Sequence, residues 1–589
     1  MKAQPRIRRR SLPASVSAWP TDVLPLLQRI YAGRGALDVE HAQPRLAQLL
    51  APETLTGLDA AVDLLQRAIA EQRHIVVVGD FDCDGATACA VMVRGLRMLG
   101  AQRVTATVPN RMVHGYGLSP SLVEEIAALR PDLLVTVDHG IACHAGIASA
   151  KAHGWQVLVT DHHLPGESLP AADVIVNPNQ RGDGFASKAL AGVGVAFYVL
   201  LALRRHLRDA GAYADAYEAV GGALAPKLPN QPDLTQLLDL VAVGTIADLV
   251  PLDTNNRALV SAGLRRLRQG QGSAGLLALI EVAGRDARHL TATDIGYAIA
   301  PRLNAAGRLE DMALGIECLL TDDPTQAREM AEVLNGINAE RRGVQQQMTD
   351  EANAALARLS AFDEAPHAVC LFDADWHPGV VGLVASKIKE NLHRPVIAFA
   401  PAEPGSDQLR GSARSIAGFH IRDALAAIDA AQPGLIIRFG GHAMAAGLSL
   451  ERAQLPAFER AFSAIARSLL DEQMLQSELL SDGELRAEEF DRRHAEALRD
   501  GGPWGQAFPE PLFDGRFEVI DSRKVGERHL KLSLRAPGRA QPIGAIHFGG
   551  WREQALPRHI HAAFQLDTDD YQDRRGIQLI LRHWEPASD

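Results

Sequence analysis

The stretch VVVGDFDCDGATA, residues 76–88, decides how the rest of the chain is read. Its run of valines has the composition of a buried parallel strand, and the small residues after Gly85 suit the start of a helix. Asp80, Asp82 and Asp84 stand at alternate positions, so on an extended segment they point the same way. Carboxylates crowded at a strand end repel one another, and a hard divalent cation is the usual remedy. A DxDxD alone is also the pattern of a solvated acidic turn, so the reading turns on what else joins it.

Outward from this stretch, segments 75–79, 103–108, 132–137 and 155–160 read as strands, and 86–99, 119–129 and 144–152 as helices. Such alternation predicts βαβ units and a doubly wound parallel sheet, whose ligands gather at the carboxyl ends of the strands. Two more strands end in chemistry: LLVTV (133–137) runs into Asp138-His139-Gly140, and VLVT (157–160) into Asp161-His162-His163. Asp248 follows an apolar helical run, 237–250. Asp82, Asp84, Asp138, His162 and Asp248 make a candidate ligand set of carboxylates and one imidazole. Such a set, without sulfur, favours Mn²⁺ or Mg²⁺. Asp80 is either a further ligand or an orienting neighbour. Asp138, central to the group, suits the bridging of two ions, and an ion pair can clamp both the attacking and leaving oxygens of a phosphoryl displacement. The rival reading of 161–163 is a capping aspartate followed by two exposed imidazoles.

At 589 residues the chain exceeds one core and should hold about three or four domains. The net charge of −11 argues against indiscriminate coating of nucleic acid but leaves room for a local basic groove. Five scattered cysteines with no CxxC exclude a cysteine-based zinc site and suit a reducing cytoplasm. No apolar run reaches membrane-spanning length. Residues 20–70 read as helical, behind an opening segment (Arg6, Arg8, Arg9, Arg10) expected to be a flexible basic tail. Residues 205–233 read as a surface insertion, and 324–360 as one long charged helix joining two lobes. A second α/β pattern covers 368–468, and five short strands from 516 to 584 predict a small β-barrel of OB type.

Several stretches offer phosphate or base contacts. In GSARS (411–415), Ser412, Arg414 and Ser415 follow a glycine and suggest a phosphate cradle, or else an ordinary polar turn. His442, between glycines in GGHAMAAG (440–447), can donate to a phosphate or be a buried structural histidine. Arg111 can hold phosphate, while Tyr116 offers a stacking face or simply packs in the core. Arg302, Asn304 and Arg308 sit among small residues in PRLNAAGR (301–308).

GDFDCDGATA (79–88), VPNRMVHGYGL (108–118), VTVDHG (135–140) and VTDHHLP (159–165) resemble successive motifs of the DHH phosphoesterase superfamily, in particular RecJ-type single-stranded-DNA exonucleases. So do LAGVGVAFYVL (190–200), GTIADLVPL (244–252), PRLNAAGR, WHPGVVGLVASKIKE (376–390), GSARSIAGFHI (411–421) and GGHAMAAGL (440–448). The resemblance implies metal ligation by Asp82, Asp84, Asp138, His162 and Asp248. It gives His163 the task of stabilising the scissile phosphate or protonating the leaving oxygen. It also implies 5′-to-3′ release of 5′-mononucleotides in recombination, recombinational repair and mismatch repair, with a single-strand-binding protein and a DNA helicase as partners. The expected architecture is α/β: a basic tail and helical segment (1–70), a doubly wound parallel-sheet DHH domain (71–320) and a long connecting helix (321–362). A second α/β, DHH-associated domain (363–470) and an OB-like single-strand-binding barrel (471–589) complete it. A cytoplasmic monomer without membrane contact is expected. The alternatives are a small-substrate phosphoesterase (oligoribonuclease or cyclic-dinucleotide phosphodiesterase), which seldom needs an added barrel, and a non-catalytic scaffold, against which the intact acidic set argues.

Overall fold

The computed structural model describes residues 4–13, 19–111, 113–213, 231–359, 366–553, 556–569 and 575–587. A short first strand, β1 (Arg6–Arg9), precedes helices Pro25–Ala32 and Leu58–Ala70. The expected βαβ alternation follows: β2 (Ile75–Val78), helix Cys83–Met98, β3 (Val104–Thr107), helix Pro120–Ile126, β4 (Leu133–Val137), helix His144–Ala152 and β5 (Gln156–Thr160). A fifth strand, β6 (Val174–Val176), was too short to show as a pattern in the sequence. All pairings are parallel, in the order β3-β2-β4-β5-β6. Every residue of β2 and β4 is buried, as continuous Val and Leu runs require when helices cover both faces. Strand order reverses at β2 and β4, so their carboxyl ends open the crevice in which such sheets bind ligands. Asp80 and Asp138 lie just beyond those two ends.

The helix Pro324–Leu359 spans the two lobes. Its Ala327, Ala331 and Leu334 enter the core of the first lobe, whereas Met348 and Ala352 enter that of the second. The second lobe is a mixed sheet, β10-β11-β9-β8-β7, built from β7 (Val369–Phe372), β8 (Val396–Pro401), β9 (Gln408–Arg414), β10 (Arg438–Gly441) and β11 (Ala445–Glu451). After β12 (Glu478–Ser481), a closed barrel forms from β13 (Phe513–Val525), β14 (His529–Arg535), β15 (Ile543–His547), β16 (His559–Asp569) and β17 (Gly576–Pro586). Closure leaves no open strand edge, and the barrel's buried side chains are continuous with the apolar core of the first lobe. No described helix is long and apolar enough to cross a membrane.

Two expectations need correction. Of the stretch 205–233 read as an insertion, residues 205–209 finish the helix Gly192–Asp209, and 214–230 lie outside the described residues. The opening arginines are not a tail. Residues 6–9 pair in parallel with β12, and Arg9 forks onto Asp514 at the start of the barrel, its Nε 3.0 Å from Oδ1 and its Nη2 2.7 Å from Oδ2. Arg34, its side chain fully buried, pairs with Asp482 at 2.9 Å on the same seam. An arginine run reads as solvated until a buried carboxylate 505 residues away claims one member.

This seam predicts a pH dependence. Burial works against ionisation of Asp514, but hydrogen bonds from His561 and Arg9 hold its carboxyl well below the usual range, and the bond to Asp514 raises His561. The stabilisation from Asp514 is present above its unfolded value, about 3.9, and is lost as pH falls through the folded value. That from His561 is present below its unfolded value, about 6.5, and is lost as pH rises through the folded one. The seam should therefore be most stable between about pH 4 and 6.5. Arg9→Ala should lower barrel stability by ~1 kcal/mol at pH 5 and by less at pH 2, as read by calorimetry, since the guanidinium is half exposed. Equal loss at both pH values would remove Asp514 from the account.

Candidate metal centre and facing cleft

Residues 79–82 leave β2 as an extended turn, and the chain re-enters helix at Cys83. Asp82 caps that helix, its Oδ1 accepting the Gly85 N–H at 3.0 Å. Asp84 lies in the first turn, fully buried, and accepts the N–H groups of Gly192 (2.7 Å) and Val193 (3.0 Å). These belong to the start of the helix Gly192–Asp209. Two helix N-termini thus converge on one carboxylate, which favours its anionic form. Even so, burial and the neighbouring Asp82 push Asp84 up to about 7. Asp80, Asp138 and Asp248 are likewise raised, first by burial and then by neighbouring carboxylates. Asp138 holds a left-handed backbone, φ 64°, a strain that clusters at functional sites.

His162 Nε2 lies 3.1 Å from Asp138 Oδ1 and 3.5 Å from Asp248 Oδ2. Burial, then the adjacent His163, lowers its pKa to about 4, so the ring is neutral and a lone pair is available. Asp80 Oδ1, Asp138 Oδ1 and His162 Nε2 are buried and have no hydrogen-bond partner among the described residues. Buried polar atoms are nearly always paired, so three orphans facing one another mark a place for a cation. Three triads have ligand atoms within 4.8 Å of one another: Asp80/Asp82/Asp138, Asp84/His162/Asp248 and Asp138/His162/His163. Asp138 and His162 are each shared by two triads, the arrangement that bridging requires. The donors are hard oxygens and imidazole, which fit Mn²⁺ or Mg²⁺.

Asp161 is not a helix cap. Its Oδ1 accepts from the His162 N–H (2.7 Å), the His163 N–H (3.0 Å) and His163 Nδ1 (2.8 Å), while Oδ2 accepts the Ile141 N–H (2.9 Å). Burial would lower His163, but the bond to Asp161 prevails and raises it to about 9. With Nδ1 committed, Nε2 faces the Tyr116 hydroxyl, 3.4 Å away.

Above the centre lies a cavity of about 770 Å³ walled by both lobes. The first lobe contributes Phe81, Arg111, Tyr116 and His163; the second contributes Arg410, Ser412 and His442. His442 faces His163 with ring centroids 6.4 Å apart. Arg111 stacks on Phe81, 4.9 Å from the ring centroid, and Tyr116, 52% exposed, meets Phe81 edge-on, so it is not core packing. Arg308 is lowered to about 9, first by burial and then by Arg111 and Arg414, which places three guanidiniums together. It also joins the lobes through Gly379 O at 3.2 Å.

Other candidates are placed differently. Arg302 is buried away from the cleft, its donors taken by Ala298 O and by Asn335 Oδ1 on the long helix, so it secures helix packing. Asn304 accepts the Cys83 N–H at 2.8 Å and pins the aspartate turn rather than reaching into the cleft. GSARS is not a polar turn: residues 411–414 lie within β9, where Ser412 pairs with Ala398 and Gly447. Ser415 spends its hydroxyl on Phe419 O. Ser412 still lines the cavity, and Arg414 Nε reaches Ser386 Oγ at 3.1 Å. The sequence reading named Asp161 without giving it the orienting of His163, and missed the Gly192 and Val193 N–H groups, Phe81 and Arg410. For Gly192 the signal was available as glycines opening an otherwise apolar helix.

Models of three domain families match the chain: the DHH family N-terminal domain over residues 74–245, the DHHA1 domain over 365–468 and the RecJ OB domain over 481–583. The single-stranded-DNA-specific exonuclease RecJ of Dickeya dadantii is 46% identical over 591 residues, covering 100% of both chains. That of Escherichia coli is 46% identical over 586 residues, 99% of each. The crystal structure of RecJ from Thermus thermophilus in complex with Mn²⁺ superposes with a TM-score of 0.76 at 32% identity, covering 96% of this chain and 77% of that one. The Mg²⁺ complex gives 0.72 at 30% identity, covering 96% and 76%. With its acidic centre, its two facing lobes and its terminal barrel all matched over the full length, this chain belongs to the RecJ family of DHH phosphoesterases.

Proposed function

We propose that the chain is a metal-dependent exonuclease that degrades single-stranded DNA from its 5′ end, releasing 5′-mononucleotides. The observation that carries this is the set of unpartnered buried acceptors on Asp80, Asp138 and His162 at the floor of a cleft edged by arginines. Asp82, Asp84, Asp138, Asp248 and His162 would hold two divalent ions, with Asp80 beside them. When bound, the ions supply charge stabilisation at the scissile phosphate and an activated water. The protein's own groups do the rest. Asp161 fixes the His163 ring so that Nε2 addresses the cleft, where it neutralises a phosphate oxygen or protonates the leaving oxygen. Tyr116 and Phe81 offer ring faces to a base. Arg111, Arg308, Arg414, Ser412 and His442 present donors to backbone phosphates, and the barrel extends the track. A small-substrate phosphoesterase would have no use for that barrel. Single-strand-binding protein and a helicase remain the partners that the family resemblance suggests.

Substrate end selection tests the reading. A terminal phosphate held by Arg414, Ser412 and His442 on the second lobe would set the distance from the strand end to the ions, so that one nucleotide is removed per cut. A charge-assisted contact of this kind contributes ~1.5–3 kcal/mol, about tenfold or more in affinity. Wild type should degrade 5′-phosphorylated linear strands in preference to 5′-hydroxyl ones and spare a single-stranded circle. Arg414→Ala should lose the preference between the two linear ends. Cleavage of the circle would contradict end dependence, and an intact preference in the mutant would move the end site elsewhere, with Arg111 next.

A further inference from the structure

A second cavity, about 750 Å³ in volume, lies at the opposite end of the two helices that carry the metal centre. Helix Cys83–Met98 bears Asp84 in its first turn, and its later residues Arg94 and Arg97 line this cavity. Helix Leu238–Ala247 bears Asp239 in its first turn, inside the cavity, and ends at Asp248. Nine residues of helix put the two sites ~14 Å apart.

The cavity is chemically specific. Asp239 is fully buried. Its Oδ2 accepts the Ser273 N–H at 2.6 Å, but its Oδ1 has no hydrogen-bond partner among the described residues. Arg266 Nε, lining the same space, is buried and without a partner among the described residues, although Arg266 Nη2 is committed to Gln271 O at 3.0 Å; the Ser273 side chain stands against the Asp239 carboxylate. Buried polar groups are nearly always paired, so orphaned ones of this kind are costly and call for a partner. An open acceptor (Asp239) beside an open donor (Arg266 Nε) complements a base edge that sets an amino group next to a ring nitrogen, as adenine and cytosine do. At the rim, Arg97 is exposed and donates to Val104 O at 3.0 Å, with no carboxylate partner among the described residues, so it can take a phosphate. The volume is in the range of ligand pockets.

We propose that this cavity is a second nucleotide site, distinct from the strand-cleaving centre: Asp239, Ser273 and Arg266 read the base edge, and Arg97 holds the phosphate. The test is equilibrium dialysis of the full chain against dAMP in EDTA, which removes the divalent ions that would recruit nucleotide to the acidic centre. The expected result is one dAMP per chain, weakened at least tenfold by Asp239→Asn or Arg97→Ala and unchanged by Asp138→Ala. Deoxyadenosine alone and inorganic phosphate alone should each bind far more weakly than dAMP. Because Arg97 is on the surface, its variant carries the test even if Asp239→Asn misfolds. No binding at millimolar dAMP would overturn the proposal. So would binding that survives Arg97→Ala and disappears in Asp138→Ala, since the nucleotide would then occupy only the cleaving centre.

Discussion

Asp138→Ala should reduce cleavage of single strands at least ~10²–10³-fold, the scale seen when one preorganised electrostatic contact to a transition state is removed. Asp138 stands in two of the three candidate ligand triads, so its loss takes a carboxylate from both of them. The variant should still fold, because the side chain makes no hydrogen bond through Oδ1 in the resting structure. Its left-handed backbone adds a modest strain for alanine, of order 1 kcal/mol, which asparagine largely avoids. Asp138→Asn is therefore the cleaner companion: same shape, tolerated φ, missing charge. Both variants should bind a single strand within severalfold of wild type, because the phosphate and base contacts lie on other residues. Turnover above a few per cent in saturating metal would show that Asp138 is not a shared ligand.

Gly192→Ala should be nearly as damaging although it removes no ligand. A Cβ at position 192 would lie 2.5 Å from Asp138 Oδ1, and the same residue donates the N–H that holds Asp84 Oδ2 at 2.7 Å. Neither atom can yield without moving a carboxylate of the centre. Outer contacts that orient metal ligands are typically worth 10–100-fold in affinity, and a displacement of about 1 Å can cost ~10² in rate. The expected outcome is a folded protein whose Mn²⁺ affinity and cleavage rate fall together by about these factors. Normal affinity with normal turnover would mean that the backbone at Gly192 does not position Asp84.

The βαβ pattern and its acidic strand ends were legible because both are local. A buried parallel strand writes itself as consecutive Val and Leu, and the residue after it sits at the ligand-binding edge whatever the rest of the chain does. Asp82, Asp84, Asp138, His162 and Asp248 come together as that logic expects. The barrel strands were visible for the same reason, through alternation and turn residues. What stayed hidden is long-range. Nothing near Arg9 in the sequence announces Asp514, and nothing near Arg302 announces Asn335 on the connecting helix, so one was read as a tail and the other as a substrate contact. A backbone N–H has no residue signature, so the Val193 contact left no trace and that of Gly192 only the glycine opening an apolar helix. The strand character of 411–414 stayed hidden because Gly411, Ser412 and Ser415 are not strand formers, and the pairing of β9 with β8 and β11 overrides that propensity.

The central claim is that one carboxylate–imidazole cluster holds a pair of divalent ions and that this pair cuts the strand. Titration of the full chain with Mn²⁺, followed by electron paramagnetic resonance and by release of label from a linear single strand, tests it in one experiment. The account predicts two Mn²⁺ per wild-type chain with a spin-coupled signal, cleavage rising only as the second ion binds, and loss of both coupling and cleavage in Asp138→Asn. A single uncoupled ion at full activity, or cleavage that persists in EDTA, would contradict it.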